Sequence, residues 1–311
     1  MKETIRIITL FFLSASILAT FEFTAGAQDE AMSFSRLPQS ASAIAVGGAA
    51  LTDGDNSFSS FVNAASIPYS SARMNVAVSY MCLHPGTDAN NRINAGLAFR
   101  TGKKFGIGCG VAYGIAPSYE IADESGTVTG SYKPSDLLLN IGLGWKFLPF
   151  LSIGADVKYL RDAVAEGYSY NAVSTDIFFM SRFHGISIAA GVSSLGNKTT
   201  SLSGEKYSLP SSFDLGIGYQ LNLHEHHAIR FIADADYFFS RKFAASAGLS
   251  YTWNSMLTVR CGYHYGGKSV VPSYASAGLG VKFFGISLDA AYIFGSEILR
   301  NSLGLSLGYE F

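Results

Sequence analysis

The chain has 311 residues, 48% of them hydrophobic and only 14% charged, with a formal net charge of −1. Average globular chains carry roughly 25% charged residues, so much of the usual solvating charge is missing. A balance this close to neutral excludes a nucleic-acid binder, which needs a basic surface, and the low charge excludes intrinsic disorder.

In chain order, Lys2 and Arg6 precede an apolar run over 7–20, and Ala25-Gly26-Ala27 follows as a small-x-small site. This is the layout of a secretory signal peptide over 1–27, with Gln28 as the expected mature start. The run is too short for a membrane anchor, and no later run is long enough for a spanning helix. An exported, apolar chain without a spanning helix points to the other structure that satisfies its backbone in lipid, a closed β-barrel.

Residues 28–71 show no strand alternation. Gly47-Gly48 sits among small residues, and Asp53-Gly54-Asp55-Asn56 follows. This stretch is expected to form a compact N-terminal plug or hatch. From residue 72 to 311 the pattern changes to period two, as in Phe105, Ile107, Cys109, Val111 and Tyr113 against Gly106, Gly108, Gly110 and Ala112. Successive strand side chains point to opposite faces, so this is strand periodicity. Fourteen such segments are expected, near 72–81, 91–100, 105–117, 136–147, 150–161, 172–183, 185–193, 211–222, 227–239, 242–252, 256–265, 273–284, 285–295 and 301–311. Each is close to the ten or so residues with which a tilted strand crosses a bilayer.

The expected fold class is therefore all-β: a transmembrane antiparallel barrel of about 14 strands. An even strand count puts both termini on one side, expected to be the periplasm of a Gram-negative cell. Short turns should alternate with longer outer loops such as Ser118–Ser135, Asp162–Asn171 and Ser194–Pro210. Phe105, Phe147, Phe183, Phe283, Tyr309 and Phe311 fall near the short turns, as an interfacial aromatic girdle would. A soluble sandwich or lipocalin-like barrel is the competing fold, but the apolar face runs on through all the strands and is almost free of charge.

Strand charges fall on the other face, the lumen. Arg100, Lys146, Arg182, Arg230 and Lys282 lie near the short turns and form a basic ring. This ring is expected to hold the plug through Asp53 and Asp55, or else to pair with acids of the wall. The inward apolar residues Leu138, Leu160, Phe178, Met180, Ile232, Phe238 and Ile293 are candidates to line a ligand pocket. No cofactor motif is present, since the G-x-G runs are strand interiors. His224-Glu225-His226-His227 has metal-ligand residue types but lies in a turn without a fixed scaffold. Cys109 and Cys261 are expected to face lipid rather than to pair. His264 is the one inward strand histidine, and no catalytic triad can be read from spacing.

Phe34-Ser35-Arg36-Leu37-Pro38, followed by Ser40-Ala41-Ser42-Ala43-Ile44-Ala45-Val46-Gly47-Gly48-Ala49-Ala50, resembles the N-terminal signature of the PorV/PorQ family. These are outer-membrane proteins of the Bacteroidetes, similar in fold to FadL-type fatty acid transporters. Asn63-Ala64-Ala65 stands where that superfamily usually has Asn-Pro-Ala. The resemblance implies a plugged fourteen-stranded barrel with no enzymatic activity. It implies partners of two kinds beyond the membrane lipid: secretion-system proteins or cargo of type IX secretion and surface attachment, or hydrophobic small molecules in transit. A structural or adhesive barrel is the remaining alternative.

Overall fold

Successive strands here must satisfy two environments at once, lipid outside and a filled lumen inside, and the backbone follows that demand. The computed structural model describes residues 30–311 except 55, 86–88, 124, 201–203, 224–225, 268, 270, 296–298 and 300. The signal-peptide segment, Asp55, His224 and Glu225 therefore lie outside the described residues.

Fourteen antiparallel strands close into one barrel. They are β1 (Met74–Leu83), β2 (Asn90–Thr101), β3 (Phe105–Ile115), β4 (Ser135–Leu148), β5 (Leu151–Ala165), β6 (Tyr168–Phe183) and β7 (Ile186–Gly196). Then follow β8 (Ser212–Leu223), β9 (His227–Phe238), β10 (Phe243–Trp253), β11 (Leu257–Tyr265), β12 (Tyr274–Phe283), β13 (Ile286–Phe294) and β14 (Leu303–Glu310). Closure is made by β1 and β14, in register from Asn75 opposite Glu310 to Cys82 opposite Leu303.

The outer face is apolar throughout. On β14, Leu303, Leu305 and Leu307 are 48–52% exposed while Ser306 is 7% exposed. Side chains of that kind, repeated around the ring, form the band a bilayer covers. Cys109 and Cys261 are exposed and unpaired.

Aromatic groups mark both rims of the band. At the short-turn end Phe105 stacks on Trp145 at 6.3 Å, and Tyr309 meets Phe311 edge-on at 4.3 Å. At the long-loop end three tyrosines hydrogen-bond neighbouring asparagines: Tyr80 to Asn91, Tyr159 to Asn171 and Tyr292 to Asn301, at 2.6–2.7 Å. This second girdle gives each ring a buried body and a wet hydroxyl.

Two expected outer loops are more ordered than the alternation suggests. Tyr119–Ala122 pairs with Val128–Tyr132 inside Ser118–Ser135, and β5 and β6 extend until only a tight turn joins Ala165 to Tyr168. These ribbons stand above the lipid with both faces wet, so they carry no apolar alternation. The first closes on Asp123, whose carboxylate accepts from the amides of Ser125 and Thr127 at 2.9 Å.

The N-terminal segment threads the lumen from end to end. Glu30 meets Lys242 at 3.4 Å, and the Ala31 amide donates to the Ser208 carbonyl at 3.0 Å, both at the long-loop end. The segment continues through a 3-10 turn (Ser33–Arg36), α1 (Ala41–Ala45), α2 (Ser59–Val62) and a second 3-10 turn (Ala64–Tyr69). Ser40 caps α1 by accepting from the Ala43 amide, and Asn63 caps the last turn by accepting from the Ala65 amide. It leaves at the short-turn end, where the Arg73 amide donates to the Phe311 carbonyl at 2.9 Å. Glu30, the first described residue, and the end of β14 thus lie at opposite ends of the barrel. Parity places the two ends of the barrel together, but Glu30 lies at the opposite end, because strand parity says nothing about a segment that runs through the lumen.

Inward glycines make this fit. A Cβ on Gly154 would lie 2.1 Å from the Ala65 nitrogen, and one on Gly262 would lie 2.1 Å from the Val46 carbonyl carbon. The wall is stripped of side chains where the plug backbone touches it.

Candidate functional site

The basic ring comes from the last residues of β2, β4, β6 and β12 and the start of β9, where inward parity and the short turns coincide. Four of its five members touch the plug. Arg230 pairs with Asp53 at 2.7 Å and donates to the Thr52 carbonyl at 3.1 Å. Arg182 donates to the Tyr69 carbonyl at 3.2 Å, and Lys146 donates to the Pro68 carbonyl at 3.3 Å. Both cations also sit over the Tyr69 ring, at 5.4 and 4.8 Å. Arg100 donates to the Ser71 carbonyl at 3.4 Å. Lys282 instead pairs with Glu310 on the wall at 2.6 Å. The plug is thus held mainly through backbone carbonyls, with Asp53 as its one carboxylate in the ring among the described residues. Burial works to raise the Asp53 carboxyl, but the charge and hydrogen bond of Arg230, helped by Asn56 and Arg182, outweigh it and hold it below the usual carboxylate range.

The seven inward apolar residues do not line one pocket. Leu138 and Leu160 pack with Phe58 and Phe61 of the plug. Phe178 and Met180 pack with Leu51 and Ala65. Ile232 packs with Val46 and Ala49, and Ile293 packs with Ala41, Ile44 and Ala45. Only Phe238 of the seven faces the inner cavity. Leu138, Leu160, Phe178, Met180 and Ile293 thus form separate seats for the plug, while Phe238 faces the cavity and Ile232 also lines the vestibule.

Two volumes remain. An inner cavity of about 120 Å³ lies toward the long-loop end, between the plug and β5–β12. A vestibule of about 570 Å³ opens between the plug and β8–β14 at the short-turn end. The vestibule is polar, and its charges are paired, with Arg260 on Asp289 at 2.6 Å beside Arg230–Asp53 and Lys282–Glu310. Such pairs, partly wet, stabilise only modestly.

The plug separates these volumes along residues 35–62, and one turn of it borders both. Val46 and Ala49 line the vestibule, while Gly48, Ala50 and Leu51 line the cavity. Gly47 and Gly48 adopt φ of 70° and 86°, the left-handed region that glycine alone enters at no steric cost. Asp234 of β9 fastens the turn, accepting from the amides of Ala50 at 2.6 Å and Leu51 at 2.9 Å. The Gly47 amide donates to Ser276 at 3.2 Å. Sequence reading places Asp234 in the lumen as one inward acid among several, and the signal for its role was its position opposite the Gly47-Gly48 turn, which periodicity cannot supply. Arg36 is a second such residue. It donates to the Pro210 carbonyl, lies 3.6 Å from Asp214 and covers the Phe238 ring at 5.1 Å.

No protein-family model matches the sequence, and no curated protein matches it. Solved structures do. The toluene transporter TbuX of Ralstonia pickettii superposes with a TM-score of 0.62 at 10% identity, over 88% of this chain and 98% of that one. The monoaromatic hydrocarbon channel CymD gives 0.62 at 11% identity, over 89% and 98%. A FadL homologue of Pseudomonas aeruginosa gives 0.55 at 12% identity, over 89% and 99%. The chain has the fold of the FadL-like outer-membrane barrels. These FadL-like structures carry the names of transporters and channels, and the likeness spans nearly their whole length. The resemblance of residues 34–50 to PorV/PorQ gains no support from them. In this FadL-like barrel those residues lie in the lumen, where Ala41 and Ile44 are buried against the wall.

Proposed function

We propose that the chain is a non-enzymatic channel of the Gram-negative outer membrane, with its short-turn end in the periplasm, that admits small hydrophobic molecules past a seated plug. The observation that carries this reading is the partition of the lumen by the Val46–Leu51 turn. A cavity and a larger vestibule lie on either side of the plug, and this turn is the glycine-hinged part of the backbone that borders both. At about 120 Å³ the cavity is close to single-ring size, and Phe61, Phe238 and Tyr274 give it aromatic surface. Toluene and monoaromatic hydrocarbons, named for the similar structures, are of that size.

The test is uptake of labelled toluene by cells whose outer membrane carries the chain, against cells that lack it. Faster uptake is expected, and Asp234→Ala, which releases the turn, should raise it several-fold further. Equal uptake in all three strains would overturn the reading. A role in type IX secretion stands second, supported by the Phe34–Ala50 resemblance alone. Loss of surface proteins with unchanged uptake after gene deletion would reverse that order.

A further inference from the structure

The inner cavity carries charged groups beside its aromatic surface. Asp176, Asp214, Asp234 and Asp236 line it, against Arg36 and Lys158. Two of these acids are satisfied. Asp176 pairs with Lys158 and accepts from the Ser194 amide at 2.7 Å, and Asp214 takes Arg36 and the hydroxyls of Ser193 and Ser212. The other two lack a cation, and Asp236 hydrogen-bonds the Asp214 carboxyl instead. Among the described residues no cation lies within ion-pair distance of Asp234 or Asp236. Asp234 spends one oxygen on the plug turn, while its other oxygen, buried, has no hydrogen-bond partner. A buried carboxylate oxygen without a partner is costly, and a proton or a cationic ligand at Asp234 would remove that cost.

Further groups in the same cavity are also unpartnered. The Tyr274 hydroxyl, on a residue 2% exposed, and Oε1 of Gln39, on a residue 4% exposed, make no hydrogen bond. Around them lie aromatic surfaces: Phe61, Phe238, and Tyr274 stacked with His264 at 5.2 Å. Among the described residues no three carboxylates, imidazoles or thiols converge closely enough to hold a metal ion. The charge deficit is spread along the wall, beside ring-sized apolar surface.

We propose that the inner cavity binds a small organic ammonium ion of about single-ring size. Its charged group would lie by Asp234 and Asp236, its N–H donors would reach Gln39 and Tyr274, and its body would lie on the aromatic wall. As an assignment of substrate class this rests on the channel reading; as a binding site it is measured apart from it.

The experiment is calorimetric titration of the purified full-length chain in detergent at pH 7 with benzylamine hydrochloride and, separately, benzyl alcohol. The ammonium should bind at least tenfold more tightly than the neutral alcohol. Asp236→Asn should weaken the ammonium at least tenfold and leave the alcohol within twofold, and Tyr274→Phe should weaken the ammonium several-fold. Retained heat-dependent gel migration shows that each variant still forms a barrel. Equal binding of the two probes, or no binding of the ammonium, would overturn the site, and that comparison needs no variant. If toluene uptake stands while ammonium binding fails, only the site falls. If ammonium binds while uptake fails, only the channel reading falls.

Discussion

Asp53 shows how much one plug contact can do. Its carboxyl is held low by Arg230, so the ionised form belongs to the seated plug. A depressed folded-state pKa gives a contribution that is present above the ordinary carboxylate range and is lost as pH falls through and below it. Single-channel recordings should therefore show more plug fluctuation as pH drops below about 4. Asp53→Asn should show that behaviour already at pH 7; a variant that keeps the parent's acid response would place the acid-sensitive contact elsewhere. Gly154→Leu tests the opposite kind of contact. The added side chain would meet the Ala65 backbone at once, so the plug should unseat and conductance should rise while the barrel still closes. At this scale the sequence is half legible. Parity assigns Arg230 and Lys282 alike to the lumen, but it gives a face and not a neighbour. Only the folded ring shows that one meets Asp53 and the other Glu310. The seven apolar lumen residues divide for a related reason: alternation cannot distinguish a wall facing a void, as at Phe238, from a wall facing its own plug, as at Leu138.

The strands were the most legible elements, because each is written by two solvents. β14 alternates leucine and small residues from Leu303 to Gly308, and no soluble environment rewards both halves of that pattern. Leu305→Arg, near the middle of the lipid band, should destabilise the barrel by about 2–4 kcal/mol, measured by denaturant unfolding in vesicles. Ser306→Ala, on the inner face of the same strand, should cost about 1–2 kcal/mol, from the hydrogen bond Ser306 accepts from the Ala41 amide and the one it donates to Ser79. Elements with one solvent were less legible. The Tyr119–Tyr132 ribbon is wet on both faces, and the plug's short turns are dry on nearly all sides. Neither environment imposes a period. What the plug does show in sequence is its caps, Ser40 and Asn63, and its small residues, which fit a lumen lined with glycine.

For the molecule as a whole, the plug decides whether the barrel is a pore. Deleting residues 30–60 should raise single-channel conductance in planar bilayers several-fold, since it removes the turn between cavity and vestibule and leaves the strands intact. Unchanged conductance would mean that another part of the chain fills the opening. The glycine-lined wall bears on how such an object is made. The plug backbone lies against the wall at close range along much of its path, it is continuous with β1, and β1 forms the closing seam with β14. Drawing residues 30–73 through a finished ring would mean sliding them past walls cut to their final shape. Laying the segment into an open sheet, and then bringing the first and last strands together, avoids that friction. The barrel is in this sense a mould that sets around its own casting, and the order of assembly is written in the residues that have no side chain.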